Sequence, residues 1–109
     1  METRNACVIA FEDMPTVRVG DFEWDSAKAI DNAHKHGVTF EEGMTAFLDE
    51  LGVPFQDVAH PERLILLAES SVGRLLLVVF TERVPSGMIR VVSVRRANKR
   101  ERRVYEEER

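Results

Sequence analysis

Apolar residues cluster in the second half of the chain as three short runs, each closed by a turn. Arg63 to Glu69, Arg74 to Glu82 and Met88 to Val94 are rich in Leu, Val and Ile, with Ser70-Ser71-Val72-Gly73 and Val84-Pro85-Ser86-Gly87 between them. Runs of that length and composition read as strands, and such short connections join only antiparallel neighbours, so an antiparallel meander is expected. Met88 to Val94 has little room for solvent on either face and is expected to be central. After it, Asn98 can cap a helix whose third residue, Glu101, suits the reciprocal position of a capping box, which predicts a terminal helix over Lys99 to Glu107.

The first half carries helix signals. Phe22-Glu23-Trp24-Asp25 alternates and reads as a short strand that ends at a cap on Asp25 or Ser26. Ala27 to His36 is then a helix stopped by Gly37, with Ala27, Ile30 and Ala33 as its apolar face and Lys28, Asn32, Lys35 and His36 left to water or a ligand. Thr39-x-x-Glu42 predicts a capped second helix with the stripe Phe40, Met44, Phe47, Leu48, Leu51, ended by Gly52 and Pro54. Residues 53–62 read as a loop with a short edge strand at Phe55 to Val58, and residues 1–20, with the apolar patch Cys7 to Phe11, read as a loose arm. The element order predicts one α+β domain over residues 22–109, preceded by an extension, loose or an extra strand, over 1–21.

Composition adds bounds. A chain of 109 residues, 44% hydrophobic and 31% charged, suits one globular core. No apolar run reaches the ~18 residues of a membrane span, and the start has no signal-peptide core, so a cytoplasmic protein is expected. Cys7 is the single cysteine and has no internal disulfide partner. His34, His36 and His60 lack metal-ligand spacing, and neither a phosphate-binding glycine loop nor a nucleophile elbow is present, so no metal or cofactor is expected.

Charge changes the picture more. Between residues 90 and 103 seven Lys or Arg stand against Glu101, a local charge of +6, whereas the chain as a whole carries −4. A basic strand end and helix on an otherwise acidic body points to a polyanion or an acidic partner at one face. Arg63, Arg74, Arg83, Arg90, Arg95 and Arg96 all fall near strand ends, where Arg63 and Arg83 can approach each other. Guanidinium groups there suit a phosphodiester, although each can equally pair with Glu62, Glu69 or Glu82 at a sheet edge. Lys28 and Lys35 share a helix face, and with His36 as proton carrier they can line a cleft or simply face solvent. Phe22 and Trp24 fit a base-stacking platform or a core.

These residues also carry a resemblance. Phe22-Glu23-Trp24-Asp25-x-x-Lys28, Asn32-x-x-Lys35-His36-Gly37-Val38-x-Phe40-Glu41-Glu42, Arg63, Thr81-Glu82-Arg83 and Ile89-Arg90-Val91-Val92-Ser93-x-Arg95-Arg96-Ala97-x-x-x-Glu101-Arg102-x-x-Tyr105 resemble, in order and spacing, the BrnT toxins of bacterial type II toxin–antitoxin pairs. The resemblance runs from residue 22 to 105. It departs from the family at Gly43 and Val94, where Ala is usual, and in a longer turn over Val84 to Gly87.

The resemblance implies a RelE-like fold, ribonuclease activity that blocks translation, and neutralisation by a BrnA-like ribbon-helix-helix antitoxin. A metal-independent endoribonuclease is therefore expected, with 2′-hydroxyl attack on the adjacent phosphate. Arg63, Arg83 and Arg95 are the candidates for phosphate stabilisation, and Lys28, His36 and Tyr105 for proton transfer. Lys35, Arg90, Arg96 and Lys99 are candidates for RNA binding. Arg95, Arg96, Lys99, Arg100, Arg102 and Arg103 are expected to hold the antitoxin, two toxins on an antitoxin dimer that alone reads operator DNA. The alternative is a non-catalytic binding module that uses the basic face for an acidic protein or nucleic acid.

Overall fold

The computed structural model describes residues 15–108. Six strands, β1 (Thr16–Val19), β2 (Phe22–Asp25), β3 (Val53–Gln56), β4 (Leu64–Glu69), β5 (Leu75–Glu82) and β6 (Ile89–Arg96), form one sheet in the order β1-β2-β6-β5-β4-β3. Three helices, α1 (Ser26–His36), α2 (Phe40–Thr45) and α3 (Lys99–Glu107), complete an α+β fold. β4, β5 and β6 are antiparallel neighbours, as the two short turns require. The sheet is nevertheless mixed and not an antiparallel meander throughout, because β2 runs parallel to β6. Only Phe22↔Ile89 and Glu23↔Arg90 pair before Asp25 turns the chain into α1 by accepting from the Ala27 and Lys28 N–H groups.

Ahead of β2, in the extension expected to be loose or an extra strand, the described residues form β1. Val19 pairs with Phe22 across the two-residue loop Gly20-Asp21, and Gly20 has φ 59°, which suits the tight turn of a two-residue hairpin. The apolar patch Cys7 to Phe11 lies outside the described residues.

The second helix is shorter than its apolar stripe suggests. α2 ends at Thr45 and passes into one 3-10 turn, Ala46–Leu48, after which Leu48 and Leu51 are exposed. Asp49 takes over the chain there: its carboxylate accepts from the Leu51 and Glu69 N–H groups and from the Tyr105 hydroxyl, at 2.9, 2.8 and 2.6 Å. Thr39 caps α2 as expected, but Glu42 does not complete the box; its carboxylate is drawn to Arg74 and Ser70 at the β4–β5 turn. The expected edge strand is displaced to Val53–Gln56.

Two cores result, one on each face of the sheet. α1 and α2 cover Trp24, Leu76, Val78, Val91 and Val94, and the ring pairs Trp24–Phe40 and Phe22–Phe47 make both strand aromatics core residues instead of a stacking platform. Leu67, Leu75 and Tyr105, flanked by Val53, Ala97 and Val104, form the other under α3. Ile30, expected inside, is exposed, whereas Asn32, expected outside, is buried. Among the described residues no helix is long and apolar enough to cross a membrane.

Gly43 and Val94, the two positions where the resemblance leads one to expect Ala, meet in this core. A Cβ on Gly43 would stand 2.6 Å from a Val94 methyl in a site with no exposure. We expect Gly43→Ala to destabilise by about 1–3 kcal/mol through overpacking, Val94→Ala by a similar amount through a cavity, and the double variant by clearly less than the sum. Denaturant unfolding of the four proteins checks this; strict additivity would contradict the pairing.

Candidate functional site

The sheet face opposite α1 and α2 carries a row of polar residues fixed by strand register. Phe22 and Trp24 point into the helix-side core, so alternation turns Glu23 to the other face. Across it the pairs Arg18↔Glu23, Glu23↔Arg90 and Arg90↔Thr81 run through β1, β2, β6 and β5. Arg63 continues the row, one residue before Leu64, whose partner is Phe80.

Glu23 sits at the middle of this row and is 4% exposed. Arg90 donates to its Oε2 at 2.8 Å, and the Nε atoms of Arg83 and Arg18 lie 3.5 and 3.6 Å from its two oxygens. The Arg90 hydrogen bond holds the Glu23 carboxyl below the usual carboxylate range against the opposing effect of burial, with Arg83 and Arg18 adding to it. One buried carboxylate thus arrays three guanidiniums and leaves a surplus of two positive charges on an open face. Arg83 and Arg18 remain largely exposed and Arg90 about a quarter exposed, so their free N–H groups can reach an anion. The expected approach of Arg63 to Arg83 does not organise the cluster: Arg63 lies 3.9 Å from Glu62, while Arg83 reaches Glu23 on β2.

Beyond Glu23↔Arg90 the outer edge of β6 has no strand partner among the described residues, and α1 lies along it. The Asn32 side chain donates to the Val94 and Val38 carbonyls at 2.8 and 3.1 Å and accepts from the Val94 N–H at 3.1 Å. Lys28, Asp31, Lys35 and His36 on α1 then face Val92 and Ser93 of β6 across a cleft of about 240 Å³. All three sequence candidates on α1 therefore line one cleft. Ser93 pairs with Val79, Arg95 with Leu77 and Arg90 with Thr81, alternate positions of β5, so the cleft opens beside the arginine face. Lys35 pairs with Asp31 at 3.8 Å. The last turn of α1, His34-Lys35-His36, also complements the negative end of the helix dipole.

Other candidates are held in structural roles. Both terminal nitrogens of Arg95 donate to Glu101, at 2.9 and 2.7 Å, while Glu101 accepts from the Asn98 N–H and Asn98 from the Glu101 N–H. The predicted capping box is complete, with Arg95 added to it. That guanidinium depresses the Glu101 carboxyl and is itself raised. Tyr105 is buried and donates to Asp49, which anchors α3 to the exit of α2. Arg96, Lys99, Arg100, Arg102 and Arg103 are exposed. Among the described residues no three His, Cys, Asp or Glu are grouped to hold a metal ion.

The family model described as the ribonuclease toxin BrnT of type II toxin–antitoxin systems matches residues 24–101. The chain belongs to this family. It is thus a BrnT ribonuclease toxin of a type II toxin–antitoxin system. The crystal structure of the Brucella abortus ribonuclease toxin BrnT is similar, with a TM-score of 0.56 and 26% identity, over 70% of this chain and 94% of that one. No curated protein matches the sequence. The BrnT match contains Arg63, Arg83, Arg90 and the whole α1 cleft, but starts one residue after Glu23 and leaves out β1.

Arg18 escaped the sequence reading, and Glu23, although it lies in the Phe22-Glu23-Trp24-Asp25 strand that carries the resemblance, was given no role there. The signal was a charged residue between two core aromatics, on the face left for polar contacts. Glu23, Glu42 and Glu101 all have lowered pKa values, each first through an arginine. Their contribution to stability is complete above the usual carboxyl value of 4.5 and is lost as pH falls through the lower folded-state values. Thermal unfolding between neutral and acid pH should show Tm falling below that point, and less steeply in Glu42→Gln; an equal slope in that variant would contradict the assignment.

Proposed function

We propose that this BrnT toxin is a RelE-like, metal-independent endoribonuclease whose scissile phosphate lies on the arginines around Glu23. The 2′-oxygen attacks the adjacent phosphorus as the bond to the 5′-oxygen breaks. One group takes the 2′ proton and another protonates the departing 5′-oxygen, leaving a 2′,3′-cyclic phosphate and a 5′-hydroxyl. Arg83 and Arg90 stabilise the extra negative charge of the pentacoordinate phosphorus, and Arg63 extends the same row toward a neighbouring phosphate. His36 and Lys28 are the proton carriers, with Lys35 on the RNA backbone. Arg96 and Lys99 lengthen the contact, whereas Arg95 and Tyr105 act through the placement of α3.

One observation carries the reading: three guanidiniums share a single buried carboxylate on an open sheet face beside the α1 cleft. Cleavage of messenger RNA would then stop translation. Purified toxin free of antitoxin is expected to cut RNA in EDTA and leave cyclic-phosphate ends, with Arg83→Ala lowering kcat/KM about a hundredfold. Absence of cleavage, or a requirement for added divalent metal, would contradict this mechanism.

The partner follows from charge. α3 leaves Lys99, Arg100, Arg102 and Arg103 exposed, while Glu101, the acidic residue of its first turn, is taken up by the capping box and by Arg95. The exposed side of the helix start is therefore basic, which suits a docking role. An acidic segment of a BrnA-like ribbon-helix-helix antitoxin laid across Lys99, Arg100, Arg102 and Arg103 would meet complementary potential, in an assembly of two toxins on an antitoxin dimer that contacts operator DNA. Charge reversal at Lys99, Arg100 and Arg103 should weaken antitoxin binding and flatten its salt dependence; unchanged affinity and salt slope would refute electrostatic docking.

A further inference from the structure

Glu23 itself has no chemistry to offer RNA. It is 4% exposed, and the guanidiniums of Arg90, Arg83 and Arg18 occupy its oxygens. A buried carboxylate on the face that must bind a polyanion repels the ligand, so its presence there needs a reason. Conformational entropy supplies one. A free Arg side chain loses rotamer freedom when fixed on a phosphate, and pre-fixing removes that loss from the bound state. We propose that Glu23 is a positioning residue that sets Arg83 and Arg90 at the spacing of one phosphodiester, in exchange for one unit of the face's positive charge.

This rests on the ribonuclease reading above and adds the residue that gives the arginine site its geometry. It involves a strand beyond the family match as well. Arg18 reaches Glu23 only because the Gly20-Asp21 hairpin folds β1 back onto β2 in the register Arg18↔Glu23. The N-terminal hairpin thereby places a third cation at the rim of the site.

Charge and geometry predict opposite signs on neutralisation, which makes the proposal testable. Glu23→Gln keeps the shape and adds one positive charge to the RNA face. If Glu23 acted through the field alone, the variant would bind RNA more tightly and cleave at least as well. Positioning predicts that kcat falls by about tenfold or more while affinity for an uncleavable, 2′-deoxy-substituted RNA stays the same or tightens. Glu23→Asp, which keeps the charge but draws it back by one methylene, should recover part of the lost kcat. Glu42→Gln is the control, because it loses a part-buried arginine pair, with Arg74, outside the site and should keep the wild-type kcat.

A readout independent of cleavage separates this inference from the mechanism. The Arg83 and Arg90 Nε–Hε resonances should shift together on addition of the uncleavable RNA to wild type, and lose that common response in Glu23→Gln. A wild-type protein that does not cut RNA would end the ribonuclease mechanism, and the resonances would then decide the role of Glu23. Unchanged kcat in a folded Glu23→Gln, or resonances that respond identically in variant and wild type, would overturn the proposal. If Glu23→Gln does not fold, Glu23→Asp decides it: wild-type kcat and wild-type resonances there would be the contrary result.

Discussion

β6 loses its parallel partner after two residue pairs, and the side chain of Asn32 takes that partner's place. The amide both donates to and accepts from Val94, as a neighbouring strand would, and spends its second N–H on the Val38 carbonyl. Leaving the Val94 groups buried and unpaired would cost about 1–3 kcal/mol each. The same three bonds dock α1 along the exposed edge of the central strand and fix the turn into α2. Val94 is in turn the residue against which Gly43 closes, so the α1 docking and the α2 packing meet at one strand position.

The arginines divide by how their carboxylates are shared. Arg74 has Glu42 and Arg95 has Glu101, each in a hydrogen-bonded pair that ties two elements together. Arg18, Arg83 and Arg90 instead share Glu23. Paired one to one, a guanidinium spends its charge on the fold. Shared three to one, the group stays electropositive although each member is held. That difference separates the face we assign to RNA from the rest of the basic surface without recourse to which positions are basic.

Much of this was legible in the chain. The three strands over 64–96 follow from Leu/Val-rich runs between short turns, and the Asn98–Glu101 box from its spacing. Local signals could not show the parallel β2–β6 pair, because it joins residues 67 apart through register alone. The second helix was overestimated because its stripe continues through Leu48 and Leu51, whereas Asp49 captures the chain with three bonds to β4, α3 and its own turn. The α1 candidates line one cleft together because a seven-residue spacing keeps Lys28 and Lys35 on one helix face. Arg63 does lie beside Glu62, its neighbour in sequence, but the mates of Arg74, Arg83 and Arg90 were not legible, because Glu42 and Glu23 reach them from other elements. Asn32 looked like a solvent residue for the same reason, since its partner is 62 positions away.

The central claim is that the scissile phosphate is bound on the sheet face by arginines preset on Glu23, with the α1 cleft beside it. A crystal structure of the toxin with an RNA made uncleavable by 2′-deoxy substitution at the scissile position tests it most directly. The account predicts one phosphate within hydrogen-bonding distance of both Arg83 and Arg90, and the adjoining ribose at the cleft mouth between His36 and Ser93. A scissile phosphate seated on α3, or on α1 without either arginine, would contradict it.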